Sequence, residues 1–237
     1  MSVYECQDIY SVLKNNPYPG RGIILGKNSD FAVAAYFIMG RSANSRNRTF
    51  KQEGEDITIY PYDASKVEDP SLIIYSPVRK YGSRLIVTNG DQTDTVYDYI
   101  SRGRSFEEAL ATREFEPDAP NFTPRISGMM TFEEGGFSYK MSILKSADEK
   151  GGACARYTFS YPSVDGVGHF ISTYNSDGSP LPTFTGEPKR VALSDNLYDF
   201  SEKLWQSLNA DNKISLYVSY TDIRTGSMAV RVFNKYE

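Results

Sequence analysis

The strongest constraint on the fold is a succession of short segments rich in aromatic and β-branched residues, separated by turns. The chain has 237 residues, among them 18 Tyr and 13 Phe. These residue types fit a pleated, half-buried surface and are enriched in strands. Because the strand-type segments mostly follow one another without a helix between them, they favour an α+β fold over a parallel sheet with alternating helices.

The expected strands share this composition and are bounded by turn-forming residues. They are residues 22–26, 31–39, 56–60, 71–75, 84–88, 125–132, 136–144, 153–161, 168–174, 213–220 and 227–234. The last two flank Thr225-Gly226, which predicts a hairpin.

Three helices are predicted between these strands. The first begins near Thr93, after the turn residues Asn89-Gly90. The second has Ser105 followed by Glu108, the spacing of a capping box. The third is expected to be capped by Ser194, because apolar residues then repeat at helical spacing, at Leu197, Phe200, Leu204, Trp205 and Leu208.

Composition narrows the classes of partner. The formal net charge of −4 opposes a nucleic-acid partner, since binding a phosphate backbone needs a broad basic surface. Cys6 and Cys154 are the only cysteines and lack the spacing of a metal site, which indicates a reducing compartment. No segment approaches the ~18 consecutive apolar residues of a membrane helix. We expect one cytoplasmic domain over residues 1–237, with neither nucleic acid nor membrane as partner.

Histidine chemistry is scarce in this chain. His169 is the only histidine, and it lies inside an expected strand, where a structural role is favoured over a catalytic one. Metal sites built on His or Cys are therefore disfavoured by counting alone. The sequence also lacks the phosphate-binding loop, the dinucleotide-binding glycine motif and the serine-hydrolase elbow.

A first polar cluster covers residues 41–48 and contains Arg41, Arg46 and Arg48 among small polar residues. Guanidinium groups bind phosphate oxygens in pairs, so the cluster suits a phosphorylated ligand. The alternative is a solvated loop whose arginines face water.

A second polar cluster covers residues 89–95, between an expected strand and an expected helix. Free backbone N–H groups at a helix N-terminus attract an anion. Ordinary capping by Thr93 or Asp94 explains the same residues without a ligand.

A third cluster places Glu116, Asp118 and Arg125 around a proline-rich loop beside strands. Such a loop can supply a general acid or base. Acidic loops are also common on surfaces that have no catalytic role.

Together these segments resemble the archaeal-type IMP cyclohydrolase family, in order and in rough spacing, from residue 18 to about residue 195. The stretches that carry the resemblance are residues 20–29, 41–49, 69–75, 87–95, 115–126 and 171–174. Residues 1–17 then form an N-terminal extension, which by position excludes Ser2 as a processed nucleophile.

The resemblance implies a four-layer αββα sandwich like that of N-terminal-nucleophile hydrolases, without their self-processing. It also implies a reaction, the closure of 5-formamidoimidazole-4-carboxamide ribonucleotide to IMP and water, as a step of purine biosynthesis. No metal and no organic cofactor are expected, and the partner is a small purine ribonucleotide.

The family's functional positions correspond to Arg48, Tyr75 and Glu116. From chemical need, we expect Arg48 to stabilise anionic or carbonyl groups of the substrate. Tyr75 is expected to donate to the formyl oxygen, and Glu116 to orient or deprotonate the carboxamide nitrogen. A wider set is expected to bind the substrate: Arg21, Arg41, Asn47, Asn89, Gly90, Asp91, Thr93, Asp94 and Arg125.

Two other functions remain open from the sequence. One is a purine-nucleotide-binding protein that has the pocket but no turnover. The other is an amide hydrolase of the N-terminal-nucleophile kind, which requires a Cys, Ser or Thr freed by cleavage. The oligomeric state is open as well, and includes a homo-oligomer.

Overall fold

Antiparallel strands dominate the structure, a computed structural model that describes residues 2, 4–67 and 74–236. Within those residues the chain forms thirteen strands in two sheets, together with five α-helices and one short 3₁₀ helix at Ala64–Lys66. The expected α+β class is confirmed. No helix in this part of the chain is long and apolar enough to cross a bilayer.

The first sheet combines strands from both ends of the chain. From one edge to the other it contains β11 (Lys189–Ala192), β10 (Val167–Ser172), β1 (Arg21–Asn28), β2 (Phe31–Met39), β12 (Lys213–Asp222) and β13 (Met228–Asn234). The last two form the predicted hairpin.

The second sheet follows chain order from edge to edge. It contains β3 (Thr49–Glu53), β4 (Asp56–Tyr60), β5 (Val78–Tyr81), β6 (Arg84–Thr88), β7 (Arg125–Glu133), β8 (Gly136–Ser146) and β9 (Cys154–Pro162). The long connection between β6 and β7 carries two helices and the loop that contains Glu116.

The helices are α1 (Ile9–Lys14), α2 (Ala43–Arg46), α3 (Gln92–Ser101), α4 (Phe106–Ala111) and α5 (Leu197–Ser207). The predicted capping box of Ser105 and Glu108 is present. Ser194 as the cap of the third predicted helix is wrong. The side chain of Asn196 caps α5, and Ser194 instead accepts a bond from the Asn196 N–H just before the helix.

Some elements were not predicted from the sequence. β3 has three exposed polar residues in its five and so shows no apolar alternation, while β5 and β11 are only four residues long. The helices α1 and α2 were also missed, because one turn or two of helix leave little periodicity. The predicted strand at 71–75 falls largely outside the described residues, and Ile74 and Tyr75 are not in a strand.

Strand alternation separates the apolar residues of the first sheet onto its two faces. Ile23 and Leu25 of β1 face the second sheet and pack in the core between the sheets. Ile24 faces the other way, toward Leu13 of α1 and Phe200 of α5. Helices thus cover the outer face of the first sheet.

A third apolar cluster covers the outer face of the second sheet. There Ile86 of β6 and Met129 of β7 pack against Val96 of α3 and Phe106 of α4. Both sheets therefore have one face toward the shared core and one face toward helices.

The single histidine is held inside the core by aromatic neighbours. The Nδ1 atom of His169 lies 2.6 Å from the Tyr139 hydroxyl. Its ring stacks on that of Tyr161, with centroids 3.6 Å apart. Burial and the positive charge of Arg190 lower the pKa of His169 to about 4.

We predict that the imidazole of His169 titrates near pH 4 in the folded protein, well below its ordinary 6.5. Between these values the unfolded chain binds a proton that the folded chain does not. The contribution of His169 to stability is therefore complete above about pH 6.5 and is lost as the pH falls toward 4. Nuclear magnetic resonance of the one imidazole measures the pKa directly.

Chemical unfolding of His169→Gln beside the wild type is the matched control. Between pH 6.5 and 4 the wild type should lose more free energy of unfolding than the variant. A native-state pKa near 6.5 would contradict the prediction.

Candidate functional site

Two arginines lie together in the space between the sheets. Arg21 begins β1 and shares the inward face of Ile23, because alternate residues of a strand point to the same side. Arg48 comes immediately before β3. The Nε atoms of both guanidinium groups are buried, and neither has a hydrogen-bond partner within the described part of the chain. Two positively charged side chains thus enter the interior with an Nε–H donor that no described residue accepts.

The surroundings shift the pKa values of the two arginines in opposite directions. Burial and the like charge of Arg21 lower the pKa of Arg48 below its ordinary value. For Arg21, burial also disfavours the charged form, but Tyr18, Glu116 and other neighbours outweigh it and raise its pKa. Both groups stay protonated at neutral pH, since the ordinary pKa of arginine is above 12. The site is therefore strongly positive and suited to an anionic ligand.

Two tyrosines join hydroxyl to hydroxyl beside these arginines. The Tyr75 hydroxyl donates to the backbone oxygen of Asn89 at 2.8 Å. It also lies 3.4 Å from the Tyr36 hydroxyl. Because a phenol has one proton, Tyr36 must be the donor in the second contact. The Tyr75 hydroxyl therefore donates to the Asn89 carbonyl, and its oxygen acts as an acceptor toward other groups.

Tyr36 is fully buried and was not predicted as a site residue. Burial raises its pKa well above the ordinary value, and Tyr75 adds to the effect. It lies in β2 within an apolar run, and its Cα pairs with that of Ile23. Only the strand register shows that its side chain faces the two arginines rather than the helices.

Glu116 enters the site from the loop between α4 and β7. Its charge acts on both Arg21 and Arg48, which shows that the three side chains are neighbours. The Glu116 N–H donates to the backbone oxygen of Thr123 at 2.9 Å. The structure thus brings together the three residues expected to be catalytic, Arg48, Tyr75 and Glu116.

The loop that carries Glu116 is fastened by a short polar chain. The Thr123 hydroxyl donates to Asp118 at 2.5 Å and lies 2.7 Å from the hydroxyl of the buried Tyr174. The Thr123 N–H donates to the same carboxylate at 2.6 Å. Asp118, although exposed, therefore fastens the loop through Thr123.

A glycine places Arg21 at the start of β1. Gly20 has a φ of +77°, and a Cβ atom there would lie 2.2 Å from the Thr173 hydroxyl. That hydroxyl accepts from the Arg21 N–H at 3.1 Å. A side chain at this position would push Thr173 and Arg21 apart, so the close approach needs glycine.

The three arginines of the first polar cluster separate in the fold. Arg41 pairs with Asp177 at 2.5 Å and lies over the ring of Tyr18. The Nε of Arg46 donates to the Gly40 carbonyl. Of the three, Arg48 is the one whose pKa is lowered by the charge of Arg21. The structure thus separates these arginines, with Arg41 in an ion pair and Arg48 directed into the space between the sheets.

Asn47 serves to hold the chain next to Arg48. Its amide donates to the Asp63 carbonyl at 2.8 Å and accepts from the Asp63 N–H at 2.7 Å. Both ends of the side chain are thus engaged with backbone. Asn47 positions Arg48 in this structure rather than presenting free polar atoms.

The second polar cluster is a turn whose side chains satisfy one another. Asn89 accepts from the Ile126 N–H and from Gln92, each at 2.9 Å, and donates to the Pro124 carbonyl. The Thr93 hydroxyl donates to the Gly90 carbonyl at 3.0 Å. This turn fixes the position of the Asn89 carbonyl, which accepts the hydrogen bond from the Tyr75 hydroxyl.

The charged residues of this turn form ion pairs. Asp91 bonds Arg113 at 2.5 Å and Arg125 at 2.6 Å. Burial by itself favours protonation of Asp91, but the two arginines outweigh it and its pKa is lowered. Asp94 pairs with Arg79 at 2.7 Å. Asp91 is the N-cap residue of α3, so this helix end already has a carboxylate beside it.

The described residues contain no group of three or more His, Cys, Asp or Glu placed to hold a metal ion. The polar groups of the site are instead arginine, tyrosine, one glutamate and backbone carbonyls. This set of groups can bind an anion, hold a reactive rotamer and move protons.

Comparison with known proteins agrees with the resemblance seen in the sequence. Residues 18–226 match the family described as IMP cyclohydrolase-like protein, and the match continues past the expected limit near 195. An IMP cyclohydrolase of Methanocella arvoryzae is 32% identical over 119 residues, 48% of this chain and 58% of that protein. One from Methanococcus maripaludis is 31% identical over 127 residues, 52% of this chain and 62% of that protein.

A third relative, the IMP cyclohydrolase of Methanopyrus kandleri, is 34% identical over 115 residues, 46% of this chain and 57% of that protein. Each of these alignments thus covers about three fifths of the relative, whereas the family match covers most of this chain. The chain belongs to the IMP cyclohydrolase-like protein family.

Proposed function

We propose that this protein is an IMP cyclohydrolase, which closes the purine ring of 5-formamidoimidazole-4-carboxamide ribonucleotide. The observation that carries the proposal is the pair of buried Nε–H donors of Arg21 and Arg48, which lack an acceptor among the described residues, beside Tyr75 and Glu116. The one carboxylate of Glu116 does not balance two arginines, so the site keeps a net positive charge that an anionic ligand would compensate. The named relatives and the family match indicate which anion that is.

The reaction joins two groups that already lie on one imidazole ring. The carboxamide nitrogen attacks the formyl carbon and loses one proton, and the formyl oxygen becomes the hydroxyl of a carbinolamine. The hydroxyl then leaves as water, with a proton taken from a nitrogen of the new ring. The enzyme must hold the reactive rotamer, stabilise the developing oxyanion and move these protons.

In this proposal Arg48 and Arg21 stabilise negative charge on the substrate, and Glu116 accepts the proton of the carboxamide nitrogen. A carboxylate beside two guanidinium groups is also held in a defined place before the substrate binds. Arg41, Arg125 and the turn at residues 89–94 surround the site and contribute to recognition. Asn47 and Asn89 act mainly by positioning their neighbours.

The role of Tyr75 is refined by its hydrogen bonds. Its proton rests on the Asn89 carbonyl, so its oxygen accepts as it stands. To donate to the formyl oxygen, the hydroxyl must rotate away from that carbonyl when the substrate arrives. We propose that the Asn89 carbonyl accepts this hydrogen bond until then, and that Tyr36 donates a hydrogen bond to the Tyr75 oxygen.

The same proposal extends to the fold family and the setting. Helices on both outer faces and a core between the sheets support the four-layer αββα sandwich of N-terminal-nucleophile-hydrolase type. The unpaired cysteines Cys6 and Cys154 support a reducing, cytoplasmic setting.

We predict that the purified protein converts the formamido ribonucleotide to IMP without added metal, as followed by ultraviolet absorbance. Tyr75→Phe and Glu116→Gln should each lower kcat by roughly 100-fold, because each removes a proton-transfer group. Tyr157→Phe and Glu134→Gln, on the surface, are the matched controls and should keep the wild-type rate.

Binding of IMP without turnover by the wild type would reject the enzyme and leave a nucleotide-binding protein. Equal rates for the wild type and both site variants would reject the residue assignments.

Removal of either inward arginine should cost binding as well as rate. We predict that Arg48→Ala and Arg21→Ala each lower kcat/KM by roughly 100-fold or more, since a buried charged donor is lost. Calorimetry with IMP should show weaker binding in both. Arg102→Ala, at an exposed arginine just after α3, is the control for loss of charge alone. IMP binding that is unchanged in Arg48→Ala and Arg21→Ala would place the nucleotide elsewhere.

Tyr36 is predicted to position Tyr75 without touching the substrate. Tyr36→Phe removes one neutral hydrogen bond and should lower kcat roughly fivefold, with KM nearly unchanged. The double variant with Tyr75→Phe should be no slower than Tyr75→Phe alone, because the bond acts through Tyr75. Additive losses would show that Tyr36 acts independently.

A further inference from the structure

A second polar cavity lies between the sheets, away from the site above. It has a volume of about 270 Å³ and is lined by Tyr161, Pro162, Val167, His169, Pro188 and Arg190, among others. His169 pairs with Leu25, four residues along β1 from Arg21. At about 3.3 Å per residue, this places the cavity roughly 13 Å from Arg21 along the strand. The proposed reaction uses none of these residues.

The cavity contains a positive charge that the protein leaves unpaired. The Nε of Arg190 is buried and has no hydrogen-bond partner in the part of the chain that the structure describes. Arg190 and His169 are direct cross-strand partners, so their side chains share one face of the sheet. The charge of Arg190 is felt by His169, which shows that the two groups are near each other inside the cavity.

Two tyrosines fix the orientation of the His169 imidazole in the cavity. Tyr139 occupies its Nδ1 atom and Tyr161 covers one face of the ring. Nε2 is then the ring nitrogen available to a ligand. A neutral imidazole protonated at Nε2 donates there and accepts from Tyr139 at Nδ1.

Apart from Glu187, the remaining walls are apolar. Pro162, Val167 and Pro188 line the cavity beside the two polar groups. Glu187 lines it as well, and its side chain is exposed. A bare phosphate ion would leave the apolar walls unfilled, whereas a carboxylate with a short hydrocarbon body would contact both parts.

We propose that this cavity binds a small organic monocarboxylate. The carboxylate bonds the Arg190 guanidinium and the Nε2–H of His169, and the hydrocarbon body packs on Pro162, Val167 and Pro188. Binding selects the imidazole tautomer in which Tyr139 donates to Nδ1. No covalent step is involved.

The single histidine provides the measurement. Butyrate is titrated to millimolar concentrations into the full chain, and the ¹H and ¹⁵N resonances of the His169 ring are followed at pH 7. We expect a saturable shift with the ¹⁵N signature of the Nε2-protonated tautomer. Inorganic phosphate, which has the charge but lacks the apolar body, should bind at least several-fold more weakly.

Two variants separate binding from folding. Arg190→Gln should weaken butyrate binding roughly tenfold, because a charge-assisted bond is lost. Glu187→Gln changes an exposed residue, preserves the fold and should strengthen binding a few-fold by removing a negative charge from the cavity lining. Arg156→Gln is the surface control and should bind as the wild type does.

The proposal is overturned by three results: no saturable shift in the wild type, equal affinity for phosphate and butyrate, or unchanged affinity in Glu187→Gln. These readouts do not depend on turnover. Failure here therefore leaves the proposed cyclohydrolase activity untouched, and failure of that activity leaves this site untouched.

Discussion

Two arginines with buried Nε–H donors, and a single carboxylate, Glu116, beside them, are the constraint around which the site is arranged. Arg21 begins β1 of the first sheet, and Arg48 precedes β3 of the second sheet. Both side chains face the space between the sheets. A buried unpaired charge is costly, so the surrounding fold must support the pair until a ligand compensates it. The tyrosines and Glu116 around them lower this cost. Burial of the apolar core between the sheets offsets the rest.

The rest of the polar architecture positions these groups. Gly20 and Thr173 fix Arg21, Asn47 fixes the backbone next to Arg48, and the turn at residue 89 fixes the oxygen that receives the Tyr75 proton. Thr123 holds the loop of Glu116 through Asp118. Several residues that resemble binding groups in the sequence thus act on other side chains. This division gives a preorganised candidate site in which few polar groups remain free to contact a ligand.

The structure brings some of the residues predicted for the site together and separates others. Arg48, Tyr75 and Glu116 are brought together, although they lie on three separate segments of the chain. The arginines of the cluster at 41–48 are separated, because Arg41 pairs with Asp177, more than a hundred residues away. Tyr36 was missed because an aromatic residue in an apolar strand has the same local pattern whether it faces a helix or a polar site. Its direction depends on pairing between β1 and β2.

The sequence by itself determined the α+β class, most strand positions and the family, because strand composition, turn residues and short ordered motifs are local properties. It also disfavours a metal site built on His or Cys, since the chain has one histidine and two cysteines. Only the tertiary structure decided which arginines remain unpaired and which pair with distant carboxylates. Those outcomes depend on sheet order and strand register, which bring together residues far apart in the chain and which no local pattern encodes.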